Sequence, residues 1–322
     1  MAQVRGSDSQ ILLLEESSYK TLPATPAGIV QYVSNFGGSK TQNRTPSALL
    51  SGNRARVEGI LGNVDVTGDL STEINAQSMA WLVKHAMGTV TTTGSGPYTH
   101  VFDIGNLPPG ITFEVDYGST LTGTGRFVQY KGCRVSSMAL SFPTEGACTA
   151  TFSVIGANGD QAAATLDASP TDPGATPFSA FDAAIVEGGS AIATVKSIDV
   201  TLDNGLDTDG YVIGGSGERA QLPEGFASVT GTLTAVFEDL TLLNKALAGT
   251  ETSLKITLQH GTGDGSSSNE YFEVNITKMK YDPQTPPIDG PGGLVVTLPF
   301  SAYRVGSDNG FQVTIKNSIS TI

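Results

Sequence analysis

The sequence predicts a mainly β protein made of two tandem domains, each with one flanking α-helix. Alternating apolar residues indicate half-buried strands, and one such strand runs directly into a stretch with helical spacing. The same strand–helix order recurs about half a chain later, which predicts a tandem duplication. The 322 residues are enough for two domains that each bury a core.

The first strand–helix unit covers residues 64–88. One strand face is mainly apolar, and the other carries Asp65, Thr67, Asp69, Ser71 and Glu73. A helical apolar stripe follows, made of Met79, Leu82, Val83 and Ala86. Asn75 is the expected N-cap, and Gly88 occupies the position of a C-terminal capping glycine.

The second unit covers residues 228–249. Its apolar face consists of Val229, Gly231, Leu233, Ala235 and Phe237. Its polar face carries Ser228, Thr230, Thr232 and Thr234, so the acids of the first copy are absent here. A helix is expected from about Asp239 to Gly249.

Composition and the repeat predict the domain limits. Residues 1–157 form the first domain, and residues 158–177, rich in Ala, Asp, Pro and Gly, form a linker. Residues 178–304 form the second domain. Residues 305–322 have no visible counterpart in the first half and are expected to form a C-terminal arm.

Two long polar loops interrupt this pattern. Residues 36–58 carry a local excess of positive charge, and 203–225 occupies the same place in the second half. The tetrapeptide SGER at 216–219 aligns with SGNR at 51–54. A long loop in a compact domain often serves binding, although a mobile surface hairpin is an equally good interpretation of 36–58.

Charge and the remaining composition narrow the function classes. The net charge of −13 disfavours binding to nucleic acid. The start of the chain has only four consecutive apolar residues, and no stretch reaches the length of a membrane span. We therefore expect folding in a cytoplasm. Cys133 and Cys148 are expected to be free, buried thiols, because strand geometry places them far apart.

Catalytic and metal-binding patterns are missing from the sequence. His85, His100 and His260 lack metal partners at useful spacing. The common nucleophile, phosphate-loop and zinc-protease motifs are also absent. The sequence therefore predicts neither an enzyme nor a cofactor or metal site.

Several segments together resemble the tail tube (major tail) proteins of long-tailed bacteriophages and prophages. In the first half these are SGNRARVEG, VTGDL, KHAMG, FEVDYG and YKGCRVSSMALSFPTEGACTATFSVIG. In the second half they are SGERAQLPEG, VTGTL and KALAG. Each segment alone has low specificity, and it is their order along nearly the whole chain that carries the resemblance.

The resemblance implies β-sandwich domains that assemble into rings, and rings that stack into a hollow virion tail tube conducting the genome. Family rings hold six domains, so two domains per chain imply a homotrimer with pseudo-sixfold symmetry. Implied partners are other copies of the chain, the tape measure, terminator and distal tail or baseplate proteins, and DNA that passes without specific binding. Assembly is expected in the host cytoplasm, without a membrane partner.

The resemblance also suggests site residues. The expected lumen-facing residues are Asp65, Thr67, Asp69, Ser71, Glu73, Ser228, Thr230, Thr232 and Thr234. The two long loops are expected to join stacked rings, and their basic residues are Lys40, Arg44, Arg54, Arg56 and Arg219. A lumen of acids and hydroxyls repels phosphate and offers no counterion release.

Three alternatives stay open at this stage. A secreted or surface β-sandwich adhesin or carbohydrate-binding module shares the acidic, Thr- and Gly-rich composition, but it should show a signal peptide and clusters of exposed aromatic residues. A ring at one end of the tail, or a baseplate component, fits the same resemblance. A flexible, non-contractile tail is favoured over a contractile one, because a duplicated tube protein suits a tube without a sheath.

Overall fold

The computed structural model describes residues 3–50, 52–121, 123, 125–288 and 290–322. Within them the chain is mainly β, and every ladder between its strands is antiparallel. The strands are β1 (Gln10–Glu15), β2 (Gly28–Gln31), β3 (Asn35–Phe36), β4 (Ser39–Thr45), β5 (Ile60–Glu73), β6 (Gly88–Gly94), β7 (Tyr98–Ile104), β8 (Ile111–Asp116), β9 (Phe127–Phe142), β10 (Thr149–Gly156), β11 (Asn158–Ala162), β12 (Ala183–Glu187), β13 (Ser190–Ala191), β14 (Val195–Asp203), β15 (Ser228–Val236), β16 (Thr252–Gln259), β17 (Tyr271–Tyr281), β18 (Val295–Ala302) and β19 (Gln312–Asn317). The helices are α1 (Met79–Met87) and α2 (Thr241–Ala248), with short 3₁₀ turns at Gly6–Asp8 and Ala180–Asp182. Neither α-helix of the described residues is long and apolar enough to span a membrane.

Strand β9 organises the first half because its two ends belong to different layers of the sandwich. Its first part pairs with β8 and β11. Its last part pairs with β10 and with β14 of the second half. The layers pack face to face, with the Phe36 ring 5.8 Å from the rings of Phe113 and Tyr130.

Six strand pairings of the first half recur in the second half in the same order. The first set is β1–β8, β4–β5, β5–β10, β8–β9, β9–β10 and β9–β11. The second set is β12–β16, β14–β15, β15–β18, β16–β17, β17–β18 and β17–β19. The predicted strand–helix units are β5–α1 and β15–α2, and their strands alternate between buried and more exposed residues as expected.

One ion pair marks the correspondence at the level of side chains. Lys84 of α1 binds Glu15 at the end of β1, with 2.8 Å between the ammonium nitrogen and the carboxylate. Lys245 of α2 binds Glu187 at the end of β12 in the same way, at 2.6 Å. Both lysines lie four residues before the glycine that caps their helix.

The segments predicted as a linker and an arm are parts of the sheets. Strand β11 lies inside the expected 158–177 linker and pairs with β9. Strand β19 lies inside the expected 305–322 arm, where it pairs with β17 on one side and β7 on the other. In the pairing order β19 takes the place that β11 has in the first half, so residues 305–322 contain a strand comparable with β11. Strand β11 is short and polar, so it carries no alternation that would reveal it.

The 36–58 segment is also more ordered than a loop. Strands β3 and β4 pair with β5, which leaves residues 46–59 as the connection of a long hairpin. Every residue of β4 is exposed. The strand is held by backbone hydrogen bonds and not by a buried face, so its side chains give no strand pattern.

The two halves meet through a continuous sheet. Strand β14 pairs with β9 from Ile198 opposite Phe142 to Asp203 opposite Ser137. Leu140 and Val200 lie opposite each other in this ladder and are both buried. The hydrophobic core therefore runs without a break from one half into the other.

The two helices differ in burial. Eight of the nine residues of α1 are buried, whereas three residues of α2 are. The Asn75 side chain accepts hydrogen bonds from the backbone amides of Gln77 and Met79, but the N-cap residue of α1 is Ser78, three residues after the predicted one. Gly88 and Gly249 end the helices with positive φ, as the sequence predicts.

Candidate assembly surfaces

One face of the continuous sheet is lined by acids, hydroxyls and small residues across both halves. We call the outward positions of β5, β10, the end of β9, β14 and β15 the acid–hydroxyl face. Strand registers align these positions in three rows that each cross the joint between the halves. The rows are Glu73–Thr149–Ser141–Asp199–Thr232, Ser71–Thr151–Ala139–Thr201–Thr230 and Asp69–Ser153–Ser137–Asp203–Ser228.

These rows bring together residues that the sequence places in separate domains. Six of the nine predicted lumen residues occupy them, and Thr67 and Thr234 continue the same face on β5 and β15. Asp65 also lies on this side of β5, but its carboxylate is bound by Arg219. The predicted set therefore falls on one face of one sheet.

Sequence reasoning missed two acids of this face. Asp199 lies opposite Thr232, and Asp203 lies opposite Ser228, so β14 supplies charge beside the uncharged β15. Both aspartates are exposed. The alternation of Ile198, Val200 and Leu202 with polar residues was the available signal. This alternation predicts strand β14, but it does not reveal that β14 lies between β15 and β9 and therefore contributes its aspartates to the same face.

Short hydrogen bonds within the face orient several carboxylates. The Ser141 hydroxyl donates to Asp199 at 2.6 Å, and the Ser153 hydroxyl donates to Asp69 at 2.7 Å. Both interactions are exposed to solvent, so the aspartates keep their charge directed outward. The face is therefore negative and rich in hydrogen-bonding groups but short of long side chains.

Arg219 serves a purpose inside the chain that differs from the predicted contact between rings. Its guanidinium is buried and donates to the Asp65 carboxylate at 2.5 Å and to the carbonyl oxygens of Gly156 and Thr208 at 2.9 and 2.8 Å. It also lies over the ring of Tyr211, 5.0 Å from the centroid. A side chain committed to these partners is not available to a neighbouring ring.

The 204–227 loop is docked on the first half at several residues, while Val212, Ile213 and Phe226 stay exposed. The Val64 amide donates to the Gly217 carbonyl at 2.8 Å, and the Tyr211 hydroxyl donates to the Val64 carbonyl at 2.9 Å. Glu218 accepts from Lys20 at 3.0 Å and from Asn158 at 2.7 Å. This second long loop fastens the two halves together at the end of the sheet where β5 begins.

The other basic residues lie on or beside the β4–β5 hairpin. Lys40 donates to the Gly159 carbonyl at 3.0 Å, which directs it to the sandwich interior side and away from the acid–hydroxyl face. Arg44 pairs with Glu58 at 3.1 Å in an exposed position. Arg54 and Arg56 lie on the exposed 46–59 loop.

Large apolar residues are exposed at both ends of the sheet. We call the end where β5 and β15 begin the loop rim, and the end where they finish the helix rim. Exposed apolar residues of the loop rim are Leu49, Leu50, Ile60, Leu61, Val212, Ile213 and Phe226. Those of the helix rim are Phe181, Val236, Leu240 and Leu247. Exposed apolar clusters of this kind mark contact surfaces.

The cysteines and histidines are buried or engaged within the chain. Cys133 and Cys148 are free and buried, which confirms the prediction, and burial raises the pKa of the Cys148 thiol to about 11. His100 is buried among Thr92, Asn317 and the Ile319 carbonyl. No group of three His, Cys, Asp or Glu side chains among the described residues is arranged to hold a metal ion.

Comparison with known protein families gives a match over most of the chain. A family model described as phage tail tube protein matches residues 6–302. No curated protein matches the chain. The matched span includes both strand–helix units, the docked loop and every strand of the acid–hydroxyl face. The family resemblance in the sequence is thereby confirmed: the chain belongs to the phage tail tube protein family.

Proposed function

We propose that three copies of the chain close a ring, and that rings stack into the hollow tail tube that conducts phage DNA into the host. Family membership makes the protein a structural component of a virion tail. The observation that carries the finer proposal is the acid–hydroxyl face, which continues across both halves of the chain. A face of this kind lines a ring only if successive domains extend the same sheet.

The chemistry of the face suits passage of DNA. The carboxylates of Asp69, Asp199 and Asp203 repel phosphate, and the three rows, which contain no lysine or arginine, gain nothing from counterion release. Hydroxyls and small side chains leave few long groups to obstruct a moving duplex. We therefore assign this face to the lumen and DNA to the role of a cargo that is not specifically bound.

The count of three chains follows from the repeat. The six recurring pairings and the two equivalent ion pairs support a tandem duplication of one domain. Two equivalent domains per chain give pseudo-sixfold symmetry when three chains close. Closure also covers sheet edges that would otherwise invite uncontrolled strand pairing.

Stacking is assigned to the two rims. Head-to-tail contact of the loop rim with the helix rim of the next ring is heterologous, so it extends into a filament. Exposed apolar residues of the loop rim, together with Phe181 and Val236 of the helix rim, supply the buried area. Lys40, Arg44, Arg54 and Arg56 of the first hairpin supply positive charge for an acidic neighbour. The docked Arg219 is not part of this contact.

Further partners follow from the role of a tube. We propose contacts with the tape measure, terminator and distal tail or baseplate proteins, assembly in the host cytoplasm, and a flexible non-contractile tail. These assignments rest on the family role.

Mass photometry of the purified chain with negative-stain electron microscopy tests the proposal. The 33.3 kDa chain is expected to give particles in multiples of three chains and rings or tubes with a central hole. Rings of six chains would contradict the trimer but would still agree with the role of a tail tube. A protein that stays monomeric at high concentration and with added tail initiator components would contradict the tube itself.

A further inference from the structure

The two helices occupy equivalent places but have different surroundings. Aligning Lys84 with Lys245 pairs Met79 with Leu240, Val83 with Asn244, and Ala86 with Leu247. Met79, Val83 and Ala86 are each 0% exposed, whereas Leu240 is 55% and Leu247 59% exposed. Leu240, the N-cap residue of α2, follows helical spacing with Asn244 and Leu247 and forms one exposed stripe with them, which we call the α2 stripe.

The second half of the chain contacts both ends of α1. The Asn204 side-chain amide, just after β14, donates to the Ala86 and Val135 carbonyls, each at 3.0 Å. At the start of the helix, Gln77 donates to Glu270 at 3.1 Å. The hairpin β6–β7, which has no counterpart after α2, adds further cover from the first half. The corresponding stripe at α2 has no such hairpin beside it in the described part of the chain, and its two leucines are exposed.

The first half has a strand edge, formed by β3 and β4, that is equivalent to the β14 edge at which the two halves of the chain are joined. Strands β3 and β4 pair with β5 as β14 pairs with β15, so that Thr41 opposite Asp65 corresponds to Asp203 opposite Ser228. The outer edge of β14 is filled by β9. The outer edge of β3 and β4 has no strand beside it among the described residues.

Gln42 in β4 corresponds to Asn204, the residue just after β14. It follows Thr41 as Asn204 follows Asp203, and it has the same amide chemistry. Its amide now donates to the Gly62 carbonyl at 2.9 Å in an exposed position. An equivalent joint between chains would bring it to the end of α2, where the carbonyl of Leu247 corresponds to that of Ala86.

We infer that the α2 stripe of one copy is covered by the β3–β4 edge of a second copy, in a joint equivalent to the one in which the β14 edge meets the first half and places Asn204 at the end of α1. This rests on the proposed ring and names its chain-to-chain contact. The occupant is a second copy because the chain already displays both halves of this joint, one half free at each end of the molecule.

The joint between chains differs from the internal joint in one respect. The end of β9, which pairs with β14, has no counterpart after Tyr281, where the chain leaves the sheet in a segment with Pro283, Pro286 and Pro287. Proline removes backbone donors, so a full ladder is not available there. The helix stripe must therefore carry a larger share of the contact than α1 does inside the chain.

Cross-linking of the double variant Q42C/L247C tests this contact. A short bismaleimide applied to assembled protein is expected to give a ladder of linked chains that ends at the ring size under denaturing conditions. The single variants Q42C and L247C are controls, since each lacks one end of the link and the native cysteines are buried. If wild-type protein assembles and the double variant assembles without linking, the inferred contact is wrong.

The variant L247E tests the same contact without a chemical cross-linker. Leu247 is exposed, so the isolated chain is expected to keep its wild-type circular dichroism while ring formation falls by at least about tenfold in apparent affinity. The matched control is I213E, an exposed apolar residue of the loop rim, for which we expect rings that do not stack. Rings from L247E at wild-type concentration would overturn the inference, whereas failure of the wild type itself to form rings would overturn the proposed function.

Discussion

At the scale of single residues, Arg219 shows how a polar side chain joins the two halves. It is buried, whereas the side chain of its partner Asp65 is half exposed, so the pair is only partly removed from water. Removing the guanidinium leaves the Gly156 carbonyl without its donor, and orphaned buried acceptors cost about 1–3 kcal/mol.

We predict that R219M lowers the free energy of unfolding by about 2 kcal/mol. Urea denaturation measures this, with D65N as the control that keeps the two carbonyl contacts and is expected to lose about half as much. Equal losses for both variants would show that the ion pair, and not the carbonyl contacts, carries the effect. A loss below about 0.5 kcal/mol for R219M would contradict a structural role for the docked loop.

Glu15 gives the clearest pH dependence. Burial alone would raise its pKa, but hydrogen bonds from His85 and Lys84 outweigh burial and lower it from 4.5 to about 2. A carboxylate with a depressed pKa stabilises the fold above its unfolded pKa and loses this contribution as the pH falls toward the folded pKa. The window for Glu15 therefore lies between about pH 4.5 and pH 2.

We predict that E15Q is less stable than the wild type at neutral pH, by about 1–2 kcal/mol. The value is reduced for solvent screening because the Glu15 side chain is 40% exposed. Urea unfolding measured across pH should show the two stability curves converging as the pH falls from about 4.5 to 2. Curves that stay parallel through this window would contradict the assignment.

At the scale of elements, the two helix-capping glycines test the difference in burial between α1 and α2. Gly88 has φ of 94°, and a Cβ there would lie 2.5 Å from the Gly105 carbonyl oxygen and 2.6 Å from that of Asn106. Gly249 has φ of 59° and nothing within 4 Å of such a Cβ. The same cap is therefore enclosed in the first half and open in the second.

We predict that G249A costs about 1 kcal/mol, the usual penalty for a non-glycine residue at positive φ. G88A adds a clash with backbone atoms that cannot move aside, so its loss should exceed about 3 kcal/mol. Thermal and urea unfolding of the two variants provides the comparison. Similar losses for both would contradict the close packing of α1 against the loop after β7.

The elements also show which features sequence alone could predict. Strand β5 was predictable because its buried residues alternate along one face, and both helices were predictable from apolar spacing ended by glycine. Strands β4 and β11 were not, because they are polar and held only by backbone pairing. Which long loop is docked and which is exposed depends on contacts such as Tyr211 with Val64, which join residues far apart in the chain.

At the scale of the whole molecule, the acid–hydroxyl face was predicted only in part. Alternation identified its strands in each half, but the sequence does not reveal that β9 pairs with β14 and makes the two faces one. The outward face of β15 has no acids, whereas that of β5 does, which departs from strict duplication. Asp199 and Asp203 on the adjacent β14 restore negative charge to the second half.

We predict that D69K/D199K converts the proposed lumen surface into a DNA-binding surface. Lysines placed on this face release counterions from DNA, so variant tubes should retain duplex fragments in a strongly salt-dependent manner, while wild-type tubes should not. Nuclease protection of fragments added during assembly provides the measurement. The matched control D8K/D264K places equal charge on exposed residues of the other layer, beside Gly118 and Lys316. Equal protection in both variants would contradict the assignment of this face to the lumen.

The central claim is that one continuous sheet face, shared by both halves, lines a ring of three chains. Electron cryomicroscopy of self-assembled wild-type tubes tests it most directly. We predict threefold rings in which Asp69, Asp199 and Thr230 face the central channel and α2 lies against the first domain of the next chain. A map in which this face points outward, or is covered by another subunit, would contradict it.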